Sequence, residues 1–130
     1  MVAVRIIQWI AGIAGLIALI LGLLFWIANI DFISIHMLFG ILVALSLLIL
    51  GIVGVFNKGL RVLGIIGMIY APIMYLFGLT QATLLVGNLH WLIQTAHMLV
   101  GVGALALIGI IGTRYVRLKK SSTSTLQAAK

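Results

Sequence analysis

The chain has 130 residues, of which 65% are apolar and only 7% charged, and its net charge is +7. With a mean hydropathy of +1.39, it has too few polar residues to coat a water-soluble domain. It contains no cysteine, which excludes disulfides, thiolate zinc sites and iron–sulfur ligation.

The first apolar stretch runs from Ile6 to Ala28, just after Arg5. It is too long for a signal-peptide core, and no small-residue cleavage site follows it. Asn29 to Asp31 separates it from the second stretch, Phe32 to Phe56. Asn57 to Arg61 leads to the third, Val62 to Thr80, where Pro72 is expected to kink the helix and free the carbonyl of Met68. Gln81 to His90 is the longest connection, and the fourth stretch runs from Trp91 to Thr113. Each stretch is about 20 residues, the length an α-helix needs to cross a ~30 Å hydrocarbon layer. None shows the alternation over about ten residues that marks a barrel strand. Short connections make successive helices antiparallel neighbours, so the expected fold is all-α: an integral membrane four-helix up-down bundle. The bundle would occupy residues 1–120, and the small, polar segment 121–130 is expected to be a disordered tail.

The basic residues are distributed on one side only. Arg5 precedes the first span, Lys58 and Arg61 lie in the middle connection, and Arg114, Arg117, Lys119, Lys120 and Lys130 follow the fourth. The positive-inside rule makes that side cytoplasmic, with both termini inside a cell membrane. The basic tail then reads as a stop-transfer signal attracted to anionic lipid, and nucleic acid is not needed as a partner. Asp31, the single acid, falls outside. Trp26, Trp91 and Tyr115 stand where interfacial anchors belong.

The two halves of the chain resemble each other. Arg5 matches Arg61 and Gly22 matches Gly78 at an offset of 56; His36-Met37-Leu38-Phe39-Gly40 matches His97-Met98-Leu99-Val100-Gly101 at an offset of 61. The difference falls in the longer outer connection, where an insertion is tolerated. Both copies begin inside, so the two-helix repeat is parallel, with a pseudo-twofold axis along the membrane normal.

A histidine inside a span is costly, and it marks a functional site by default. His36 and His97 lie at equivalent depths, about a turn inside the outer edge, on helices that are diagonal partners in an up-down bundle. Two imidazoles facing across the axis have the arrangement that a haem iron takes from two axial histidines. Gly40 and Gly101 lie four residues on, on the same face, and would make room for a flat porphyrin. Ala44, Gly103 and Ala104 would extend that room. The site holds one haem b at most, because His90, seven residues before His97, is matched by Asn29.

Other readings compete. The glycines also read as sites of close helix packing, the histidines as neutral interfacial residues, and a divalent metal is a third option that wants further ligands in the same layer. His90 reads either as an interfacial residue beside Trp91 or, with Gln94 and Asn88, as part of the surroundings of the ligands or of a quinone site. Asn29, Ser34, Gln81 and Thr95 share that outer side, which carries no Lys or Arg to pair with propionates.

On these two histidines and their glycines the chain resembles membrane b-type cytochromes built on four-helix bundles. It is most similar to one half of a haem A synthase, a family of two four-helix halves with a histidine near the outer end of the second and fourth helices of each. The catalytic half of that family carries a Glu three residues before its first histidine, where this chain has Ile33. The outer-loop cysteine pair of many members is also absent. The resemblance is therefore to the cofactor-holding half. It implies a haem protein passing electrons between a quinol pool, or a redox partner subunit, and an external acceptor, with a homo-oligomer or larger complex to complete the path. The alternative is a non-catalytic membrane subunit or assembly factor without haem.

Overall fold

The computed structural model describes residues 1–128; Lys130 and the last step of the tail lie outside the described residues. Four helices form: α1 (Val2–Ala28), α2 (Ile33–Val55), α3 (Arg61–Thr80) and α4 (His90–Ala128). Each is long and apolar enough to cross a membrane, and among the described residues there is no strand. The protein is an all-α four-helix membrane bundle.

Local chemistry sets the helix ends. Asn29 terminates α1 in the left-handed conformation, φ 54°, which Asn tolerates because its side chain is short and polar. The Ile30 N–H then reaches back to the Leu24 carbonyl at 3.2 Å, which the Asn29 N–H also reaches, so a carbonyl of the last turn is satisfied. The Asp31 carboxylate accepts a 3.0 Å bond from the Ile33 N–H, placing the single acid at the positive end of α2. Short 3₁₀ turns, Lys58–Leu60 and Gln81–Thr83, precede α3 and follow it. Helix α3 runs without interruption through Pro72, whose ring lies on the exposed side.

Helix α4 continues through Ala128, across the segment that the sequence reads as a disordered tail. That segment contains neither Gly nor Pro to stop a helix. The hydroxyls of Ser121, Ser122 and Ser124 donate to the carbonyls of Arg117, Leu118 and Lys120 at 3.2, 3.0 and 3.2 Å, so these polar side chains are satisfied along the helix itself.

Helix α2 packs on α1, α3 and α4, and α4 also packs on α1 and α3, whereas α1 and α3 do not meet. The cross-section is a rhombus with α2–α4 as its short diagonal. The outer surface is apolar: Ile13, Leu16, Ile69, Ile73, Leu76 and Leu99 are each more than half exposed. Such a surface is stable against lipid and not against water.

The burial pattern follows the internal repeat. On α2 and α4 the buried pairs are Val43/Ala104, Leu47/Ile108, Leu50/Ile111 and Gly51/Gly112, all at the offset of 61. On the other two helices they are Ala11/Gly67, Gly15/Ala71 and Ala18/Met74, at the offset of 56. Each half presents the same face to the other. Toward the basic end, α2 and α3 come into backbone contact: a Cβ on Gly64 would lie 2.5 Å from the Val55 nitrogen and 2.7 Å from the Gly51 carbonyl oxygen. Small residues permit that approach, and it pins the bundle at this end.

Candidate functional site

The opposite end carries the histidines. His36 sits in the first turn of α2 and His97 two turns into α4, so both project between the helices of the short diagonal. Their ring centroids are 5.9 Å apart with the rings tilted at 58°, and both residues are half-buried. The diagonal facing expected from the sequence is therefore present.

Each ring is seated on a glycine of the preceding helix. A Cβ on Gly22 of α1 would lie 3.2 Å from His36 Cε1, and a Cβ on Gly78 of α3 would lie 3.2 Å from His97 Cε1. These two glycines are repeat mates. Sequence reasoning used them only to fix the offset; their recurrence opposite a recurring histidine was the sign that they form its seat.

The two histidines differ in their second nitrogen. His36 Nδ1 lies 2.8 Å from the Ala18 carbonyl oxygen. A carbonyl only accepts, so Nδ1 carries the proton and Nε2 keeps its lone pair. This is the arrangement that orients a metal-ligating imidazole and raises its basicity. His97 Nδ1 is buried and without a hydrogen-bond partner among the described residues, and the Phe77 ring packs against it at a centroid distance of 5.8 Å. An unsatisfied buried polar atom costs about 1–3 kcal/mol.

Gly40 and Gly101 have nothing within 4 Å of a Cβ, so neither serves as a close helix contact, and open space adjoins both. The room does not extend to Gly103, as the sequence suggested. The Tyr70 hydroxyl occupies that position and donates to the Val100 carbonyl at 2.9 Å, tying α3 to α4. Ala44 and Ala104 are buried in the core and close the space one turn further in.

The remaining polar residues separate into two groups. His90 opens α4, and its Nδ1 lies 3.0 Å from the Leu84 carbonyl oxygen, which ties the start of the helix to the outer connection. Thr95 donates to the Trp91 carbonyl at 2.9 Å, within its own helix, and Asn29 is engaged in ending α1. Gln94 is half-buried one turn outward of His97 on the same face, and Asn88 lies exposed in the outer connection.

The donor set is two half-buried imidazoles. Among the described residues no group of three His, Cys, Asp or Glu comes together, so the divalent-cation reading lacks its further ligands. Two imidazoles bound on opposite sides of one metal through ~2 Å bonds have centroids roughly 6 Å apart, which the observed spacing matches. The open glycines lie one turn deeper on the same faces. These residues fit a planar macrocycle held by two axial histidines. No protein-family model, characterised protein or solved structure matches the chain, so any functional reading rests on this geometry.

Proposed function

We propose that the protein is a small membrane cytochrome of b type, holding one haem b between His36 and His97. The observation that carries the reading is the facing pair at 5.9 Å with the His36 Nδ1 proton held by the Ala18 carbonyl. When bound, the haem would supply one-electron transfer through its iron. The chain's own residues do the rest. Nε2 of His36 and a ring nitrogen of His97 would hold the iron. Gly22 and Gly78 hold the rings in place, and Gly40 and Gly101 leave space beside them. With both histidines holding it, the iron would keep no protein-free position, which would suit electron transfer rather than oxygen binding. The exchange partners would be a quinol pool or a redox subunit. The basic end faces the cytoplasm and the histidine end faces outward, by the positive-inside rule.

The protein purified in detergent is expected to be red, with a six-coordinate low-spin spectrum that changes on reduction. Either His36→Ala or His97→Ala should abolish that spectrum, and His90→Ala should retain it. A colourless protein, or variants with unchanged haem content, would overturn the reading in favour of a haem-free membrane subunit. For orientation, cysteines placed singly at Asn88, Asn57 and Ser122 are treated with an impermeant reagent on intact cells. Only the first should react; labelling at Asn57 and not at Asn88 would invert the assignment.

A further inference from the structure

At the basic end, α1 and α4 leave a groove between them. Arg5, Gln8, Trp9 and Gly12 of α1 and Leu105 and Gly109 of α4 line it. Nothing lies within 4 Å of a Cβ at Gly12 or Gly109. The Gln8 amide donates to the Ile108 and Gly109 carbonyls at 3.3 and 3.2 Å and so staples the two helices. Leu105 fills the notch left by Gly15 and ends the groove toward the histidines. From Arg5 to Gly15 the groove is about 15 Å long at 1.5 Å per residue, the depth of one leaflet of a ~30 Å hydrocarbon layer.

Gly109 also borders a shallow depression on the adjoining face of α4, topped by Arg114 and Arg117. Gly109 therefore borders both the groove and this depression, and arginine stands at the edge of each. The only acidic side chain in the protein is Asp31, at the opposite end, so this chain cannot neutralise these arginines. A second copy would set arginine against arginine. The occupant must bring its own negative charge to this level and apolar chains below it.

We infer that this face of α1 and α4 binds an anionic diacyl phospholipid of the leaflet at the basic end. Its phosphodiester lies at the level of Arg5, Arg114 and Arg117, and its acyl chains run in the groove and the depression that Gly109 borders. The site is independent of what the histidines hold.

Native mass spectrometry of the full chain, released from mixed micelles of phosphatidylglycerol and phosphatidylcholine in equal amounts, tests the site. The parent should retain phosphatidylglycerol preferentially. Replacing Arg5, Arg114 and Arg117 by Gln should remove the preference, by about fivefold for each arginine. The pair Lys58→Gln and Arg61→Gln, which removes basic charge elsewhere at the same end, should leave it intact. Gly12→Leu and Gly109→Leu point into open space and should keep the fold's thermal stability while losing the lipid. The inference fails if the Lys58/Arg61 variant loses as much preference as the groove variants, if both glycine variants retain lipid, or if the parent emerges as a dimer that excludes it.

Discussion

The α2–α3 seam at the basic end and the helix faces just below the histidines use glycine in opposite ways. At the basic end, Gly51, Gly54 and Gly64 bring α2 and α3 into backbone contact, and a side chain on Gly64 would collide with main-chain atoms. At the histidine end, Gly40 and Gly101 touch nothing, and a side chain there would enter empty space. The first use draws helices together and the second leaves them apart. The bundle thus has a closed α2–α3 seam that holds it together and open glycine faces beside its histidines. Composition alone does not distinguish them, since both ends are rich in glycine and aliphatic residues.

The largest effect should come from filling the closed seam. Gly64→Leu forces α2 off α3, because backbone atoms, unlike a flexible side chain, cannot rotate away. Overpacking costs typically ~1–3 kcal/mol, and backbone collision places this variant at the upper limit. Reversible unfolding in detergent should show it; a stability equal to the parent would mean the contact does not hold the bundle.

Gly101→Leu probes the open faces. Insertion follows hydropathy, so the variant should reach the membrane, and the cofactor-free form should stay within about 0.5 kcal/mol of the parent, as substitutions away from packed contacts do. Its haem content should collapse. Equal loss of cofactor-free stability would put this glycine in the same class as Gly64.

Gly78→Ala should have the smallest effect. The added methyl meets only the edge of the His97 ring at 3.2 Å, so the ring shifts by a few tenths of an ångström. Altered orientation of a metal-bound imidazole weakens binding by roughly tenfold at the lower limit seen for residues that support a ligand. A haem titration and the position of the reduced bands would register it. No change in either would deny Gly78 its role as the seat.

Much of this was legible in the sequence. Span number, helix order and the His36–His97 facing follow from hydropathy, connection length and the offset of 61, because each rests on a strong, regular signal. The bounds of α1 and α3 at Ala28 and Thr80 matched for the same reason. What escaped was decided by contact rather than by pattern. Gly103 reads like Gly101, yet Tyr70 from another helix fills the space beside it. His90 reads either as an interfacial residue or as part of the surroundings of the site, and its bond to the Leu84 carbonyl is not visible in the sequence. The tail from Ser121 has a disordered composition, yet it continues a helix that has nothing to stop it.

The repeat has one more consequence. A helical hairpin that buried this face against an identical copy would form an isologous pair, in which every contact occurs twice. Joining the two hairpins in one chain frees them to diverge while the shared interface persists. His36 has a carbonyl for its Nδ1 and His97 has none; Gln94 stands before one histidine and Ile33 before the other. A symmetric homodimer cannot hold one imidazole and leave its twin loose, but a duplicated chain can, and its two histidines are then free to differ in basicity and orientation.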